Sequence, residues 1–281
     1  MTKKLNIVRK KPRSLYTSLY VCMVLAFLYM PIAVLITYSF NASKSRTVWS
    51  GFSLHWYREL LSDELILTSL WNTLIVALVA SIVATILGTV AAVGINSYRH
   101  RLLKSTVMNL TYMPILNPEI VMGVSLLLLF DYSIRTLNLP VKLGLGTLII
   151  AHITFCTPYV ILNVLPKLRQ LDKNTYEAAL DLGCNPFSAF TKVVIPEIMP
   201  GIISGFLLAL TYSVDDFVIS YFVSSASSQT LPVTIGSMVR KRISPEINAL
   251  SAIMFVVVLS ILITINVVES RRDTIKRGAR V

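Results

Sequence analysis

Six stretches of the chain are rich in Leu, Ile, Val, Ala and Met, at about 15–40, 70–95, 106–132, 146–166, 198–220 and 247–268, and all 26 lysines and arginines fall outside them. Each stretch is near the roughly 20 apolar residues that a helix needs to cross a hydrocarbon core. A backbone in lipid must satisfy its own polar groups, so a crossing stretch is a helix or part of a closed barrel. These runs are continuous rather than alternating, which argues against a barrel. The pattern predicts an all-α integral membrane protein with six transmembrane helices. Its parts are a terminal segment 1–14, a spanning region 15–268 and a basic tail 269–281.

Departures from uniform oiliness carry the information. The second stretch has small residues at helical spacing, Ala77, Ser81, Thr85 and Thr89, with Ala80, Ala84 and Gly88 beside them. Small side chains let helix backbones approach closely, so this face is expected to pack inside a bundle. The third stretch contains Pro114 and Pro118, which cannot both lie in a regular helix. Asn117 followed by Pro118 reads as a cap and first residue of a second half-helix. Irregular backbone at membrane depth is tolerated only against protein or water.

Composition agrees with a membrane protein. The 281 residues are 54% hydrophobic and 14% charged, with mean hydropathy +0.69. A net charge of +12 raises the question of nucleic acid, but the basic residues sit between apolar stretches rather than on one soluble face. With both termini in the cytoplasm, 18 basic residues fall on the inner side and eight on the outer, the bias expected of cytoplasmic loops. The basic start resembles a signal peptide, but its apolar run is too long and no small-residue cleavage site follows, so an uncleaved first span is expected. Cys22, Cys156 and Cys184 lack metal spacing and are read as apolar packing residues, with no disulfide.

One inner-side segment is punctuated like a folded element: "EAALDLGCNPFSAF", Glu177 to Phe190. Asn174 can cap a helix, with Glu177 three residues on. Ala178, Ala179, Leu180 and Leu182 favour the helix, and Gly183 offers the left-handed conformation that ends it. Asn185 and Pro186 then read as the cap and first residue of another helix running to Pro196. Glu177-Ala178-Ala179, three residues, Gly183, nine residues and Val193-Val194-Ile195-Pro196 resemble the EAA signature of ABC importer permeases. Val193 and Ile195 replace that pattern's Ile and Leu.

The likeness spans most of the chain. "FLYMPIAVLITYSFNASK" (27–44), "NPEIVMGVSLLLLF" (117–130), "AHITFCTPYV" (151–160), "SVDDFVISYFVS" (213–224) and "PEINALSAI" (245–253) resemble the polyamine subgroup, above all the second permease subunit of putrescine and spermidine importers. Ser225-Ala226-Ser227 stands where that subgroup has a Gly-Pro-Gly turn. The resemblance implies that segment 174–196 docks on a cytoplasmic ABC ATPase dimer, with Glu177, Ala178, Ala179, Gly183 and Pro196 as coupling residues. It further implies a homologous permease partner, a periplasmic or extracellular polyamine-binding protein and a bacterial inner-membrane location. The ATP and Mg2+ belong to the partner ATPase; this chain is expected to bind no cofactor, having no glycine followed by lysine and so no P-loop. No catalytic or metal-ligand cluster is evident, so an enzyme is not expected.

Acids inside spans cost about 2.5–3.5 kcal/mol each on insertion scales, so each needs a reason. Glu119, Asp215 and Asp216 are the candidates for a cation pathway, where few carboxylates offset the lost hydration of a polyamine. Asp215 and Asp216 are placed late in the fifth helix, roughly 25 Å from its inner end. Each acid also has a structural reading: Glu119 at a helix start, and Asp215 or Asp216 paired with Arg240 or Arg242 as a gate. Tyr212 and Tyr221 are readable as interfacial anchors or as cation–π contacts. His152 is left open between packing and lining; His55 and His100 read as loop residues. The rival class is an ATP-independent secondary transporter or channel, which also uses broken helices and buried acids. In that class, segment 174–196 has no motor to grip.

Overall fold

The computed structural model of the chain describes residues 15–43, 48–98, 100–138, 140, 142–241, 246–257, 259, 260 and 263. The predicted segment 1–14, the tail 269–281, Arg242 and most of the sixth stretch beyond 257 lie outside the described residues. Among those described there is no strand, only an isolated bridge between Asn41 and Phe52. Four helices are long and apolar enough to cross a membrane, or five if one bent pair counts as a single span. The chain divides into two compact units, Met1–Ser62 with Lys241–Val281, and Asp63–Arg240.

The first unit contains α1 (Leu15–Ser39), α2 (His55–Leu60) and the apolar helix α12 (Glu246–Val257). No part of the apolar window of α1 is buried. Trp56 anchors α2, donating its indole N–H to the Asn41 carbonyl at 2.7 Å. Phe40 stacks on Phe52 with ring centroids 5.2 Å apart.

The second unit is built on α3 (Glu64–Ser97), α6 (Leu145–Gln170) and α9 (Ile195–Asp215). Asp63 starts α3 by accepting from the N–H groups of Leu65 at 2.8 Å and Ile66 at 3.2 Å. The small-residue face of α3 is buried as its spacing predicts: Ala77, Ala80, Ser81, Ala84, Thr85, Gly88 and Thr89 all lie inside. Two glycines flank Val160 of α6. A Cβ on Gly88 of α3 would come within 2.7 Å of Val160 Cβ, and one on Gly205 of α9 within 3.2 Å of Val160 Cα. Close backbone approach is therefore what joins these three helices. The N-terminal part of α3 is tied to α11 (Leu231–Lys241): Thr73 Oγ1 accepts from Leu231 N at 2.7 Å, and Ser69 Oγ meets Thr234 Oγ1 at 2.7 Å.

The third stretch is two helices, α4 (Arg101–Leu116) and α5 (Glu119–Arg135), bent by 103°. Pro118 has no N–H to continue α4, and Asn117 and Pro118 are both extended, with ψ 144° and 133°. The cap assignment differs from expectation. Asn117 closes α4, Pro118 occupies the cap position of α5, and no side chain caps α5. Pro114 stays inside α4, consistent with only one proline causing the break.

The fifth stretch begins earlier and ends earlier than its hydropathy predicts. α8 (Pro186–Ala189) continues through a π-turn, Phe190–Val194, into α9, giving a helical run Pro186–Asp215. The missing N–H and the ring of Pro196 displace the regular hydrogen-bond pattern at that point, which accounts for the wider turn. Helix α9 stops at Asp215, and a short α10 (Val218–Val223) follows the break.

Replacing Gly88 by Leu forces a side chain into Val160, and overpacking of this kind costs about 1–3 kcal/mol. Gly94 lies on the same helix with nothing within 4 Å of a would-be Cβ. Gly88→Leu is expected to lower the melting temperature of the purified protein, whereas Gly94→Ala leaves it unchanged or raises it; thermal denaturation in detergent distinguishes them.

Candidate functional site

Two places combine special backbone geometry with polar or acidic side chains. The first is the segment around α7 (Lys173–Asp181). Its cap is Asp172, not Asn174: Asp172 Oδ1 accepts from Asn174 N at 3.0 Å, which puts Asn174 in the first turn. An aspartate two residues upstream outcompetes the asparagine because its carboxylate also complements the helix dipole. The far end follows the sequence. Gly183 has φ +87°, its N–H donates to the Leu180 carbonyl at 2.9 Å, and Cys184 N donates to the Ala179 carbonyl at 3.1 Å. That pair of bonds is a Schellman closure, and it needs a residue free to adopt the left-handed region. Asn185 then caps α8 by accepting from Ser188 N at 2.7 Å, with Pro186 as first helical residue.

The faces of this segment differ. Ala179 is buried, while Glu177 and Ala178 are exposed. Leu182 and Phe187 are 87% and 77% exposed on either side of Gly183. The sequence reading took Leu182 only as a helix former and gave Phe187 no role, although two large apolar residues beside a forced turn are a readable signal. Pro196 lies in the first turn of α9, beyond the π-turn, so it is the spanning helix that carries it.

The second place is the elbow between α9 and α10. Asp216 is buried, and both of its oxygens are engaged. Oδ1 accepts from Ile219 N at 3.2 Å and Oδ2 from Ser220 N at 2.7 Å. The carboxylate thereby takes over N–H groups that the interrupted helix leaves without carbonyls. His152 of α6 lies against it, Nε2 to Oδ2 at 3.5 Å. The same ring reaches Ser220 Oγ from Nε2 at 3.1 Å and Ser213 Oγ from Nδ1 at 2.7 Å. One reading of the sequence paired Asp215 or Asp216 with Arg240 or Arg242 as a gate. The structure places His152 against Asp216, and Arg240 lies over the Tyr221 ring, 5.5 Å from its centroid.

The three acids do not share one setting. Asp215, the last residue of α9, is exposed, as is Glu119, the first residue of α5. Tyr159 packs on Tyr212 with centroids 4.5 Å apart, and Phe155 meets both rings edge-on. Tyr221 lies under Arg240, stacks on Phe217 at 5.7 Å and meets Phe222 edge-on at 5.5 Å. Among the described residues no three His, Cys, Asp or Glu side chains are placed to hold a metal ion.

Apolar helices of spanning length, a punctuated connecting helix and a helix break that buries Asp216 against His152 describe a multi-helix membrane protein. Residues 84–271 match the family "Binding-protein-dependent transport system inner membrane component", and the chain belongs to that family. It is 44% identical over 81% of each chain to the putrescine transport system permease protein PotI of Escherichia coli strain K12. It is 38% identical to the spermidine/putrescine transport system permease protein PotC of that strain, covering 85% of this chain and 88% of the relative. The PotC of Haemophilus influenzae is 35% identical over 90% of this chain and 96% of its own. A solved bacterial ABC transporter for import of the acidic polysaccharide alginate has a chain of the same fold, with TM-score 0.73, 16% identity, and 92% and 95% coverage. That transporter has also been solved with an alginate pentasaccharide-bound periplasmic protein. The family and these relatives are transport permeases, a non-enzymatic membrane class.

Replacing Asp216 by Ala leaves two buried N–H groups without acceptors, a loss of roughly 1–3 kcal/mol or more. Asp215→Ala removes an exposed carboxylate and is expected to leave stability within about 0.5 kcal/mol. Chemical or thermal denaturation of the two variants, side by side, checks the difference.

Proposed function

We propose that this chain is one permease half of a binding-protein-dependent ABC importer for putrescine or a related polyamine. Its architecture is six spans with both termini cytoplasmic, and segment 174–196 is the coupling helix. The observation that carries the substrate reading is the 44% identity over 81% of the chain to a permease named for putrescine. The 35–38% identity to spermidine/putrescine permeases supports spermidine as the second reading.

The coupling reading is supported by the shape of the segment. A short helix closed rigidly at Gly183 projects Leu182 and Phe187 outward. Such a knob fits an apolar groove on an ATPase, while Ala179 and the π-turn join it to α9. ATP binding in the partner dimer moves the knob, and the continuous run Pro186–Asp215 passes that movement into the spans. A homologous permease completes the cavity, and an external binding protein delivers the substrate.

For the cation pathway, exposure favours Glu119 and Asp215 as the groups that meet the amine. Asp216 has its oxygens committed to backbone and His152, so we assign it to holding the elbow. Carboxylates facing water attract a dication without dehydrating it fully, which keeps binding weak enough for release. The packed pair Tyr159 and Tyr212 offers ring faces to the alkyl ammonium.

Reconstituted with its partner subunits, Gly183→Val is expected to preserve assembly but lose most ATP-driven uptake, because a β-branched residue at positive φ costs about 1–2 kcal/mol or more and redirects the knob. Glu119→Gln and Asp215→Asn are each expected to lower labelled putrescine uptake about tenfold, the equivalent of one lost charge contact of roughly 1.4 kcal/mol. Wild-type uptake in both acid variants removes them from the pathway; wild-type coupling in Gly183→Val removes the knob from the mechanism.

A further inference from the structure

His152 is fully buried two turns into an apolar helix, whereas His55 and His100 are exposed. A polar ring at that depth is expensive unless every nitrogen is satisfied. Both are. Its partners flank the helix break: Ser213 in the last turn of α9, Asp216 at the break itself and Ser220 in the first turn of α10. One ring on α6 therefore reaches both sides of the gap. Five residues earlier on α6, Thr147 Oγ1 donates to the Gly144 carbonyl at 2.9 Å and lies 3.3 Å from the Val223 carbonyl at the end of α10.

The elbow is not fixed by its own backbone ladder. Ile219 and Ser220 give their N–H groups to the Asp216 side chain instead of to carbonyls of α9. The angle between the helices thus depends on where that carboxylate sits, and His152 is its side-chain neighbour on α6. Asp215 lies one residue before the break. Helix α10 also packs on α5, where a Cβ on Gly123 would meet Phe222 at 2.8 Å, and α5 begins at Glu119.

We propose that His152 is a positioning residue for transport: without touching substrate, it pins the α9–α10 elbow through Asp216 and Ser220 and so sets the direction of the Asp215 carboxylate. This rests on the reading that Asp215 meets the cation. The ring has two distinguishable ends. A glutamine amide reaches the place of Nε2 and keeps the contact with α10, whereas an asparagine amide replaces Nδ1 and keeps only the contact with Ser213.

The test uses the complete transporter, purified with its co-expressed subunits and reconstituted into vesicles. KM and kcat are measured with labelled putrescine, or with spermidine where the wild type transports that instead. His152→Asn is expected to raise KM about fivefold with kcat changed by less than about twofold, and His152→Gln to stay within about twofold of wild type in both. In an Asp215→Asn background, His152→Asn is expected to add less than about twofold, because both act on one contact. Unchanged KM in His152→Asn overturns the proposal. So does a loss of assembled complex or of kcat at constant KM, which assigns the residue to folding alone. Wild-type KM in Asp215→Asn defeats the pathway reading separately; a raised KM in His152→Asn beside it keeps the pinning role but routes it through α5 and Glu119.

Discussion

A backbone among apolar neighbours has to find a partner for every N–H and C=O, and the arrangement of this protein follows from how that requirement is met where helices stop. Long uninterrupted helices meet it by themselves. Breaks do not, and at three of them a particular side chain takes over. Asp63 closes the start of α3, Asn185 the start of α8, and Asp216 the start of α10. Gly183 solves the opposite end, letting the chain fold back so that its own N–H groups satisfy the last carbonyls of α7. The places where special chemistry gathers are therefore the places where the helix ladder fails.

The same requirement separates the three acids. Asp216 and Asp215 are adjacent, yet one is committed to backbone donors and a histidine while the other is exposed. Packing acts in concert: Gly88 and Gly205 bring α3 and α9 onto Val160 of α6, and α6 is the element that carries both His152 and Thr147 to the elbow. The rigid three-helix core thus holds the two segments from which the exposed acids project. At its other end, the run that finishes at Asp215 starts at Pro186, between the exposed Leu182 and Phe187.

Much of this was legible in the sequence wherever the determinant is local. Hydropathy located the long helices, the spacing of Ala77, Ser81 and Thr85 marked a packing face, and Gly183 marked a helix end. Caps were harder. Asn174 and Asn117 both look like caps, but Asp172 and Pro118 hold those positions because neighbouring residues compete within one turn. Hydropathy also ran past Asp215, since nothing apolar distinguishes the residues on either side of the break. The partners of His152 lie 61 and 68 residues away, beyond any periodicity, so its role emerged only when α6, α9 and α10 were placed together.

The central claim is mechanical: a stiff helix closed by Gly183 passes the work of a separate ATPase into spans that move a cation. The most direct measurement is the initial rate of labelled putrescine uptake into vesicles containing the intact transporter and its binding protein, with and without ATP on the side of the coupling segment. The account predicts uptake with ATP and none above background when a non-hydrolysable analogue replaces it. Equal uptake under both conditions would contradict it.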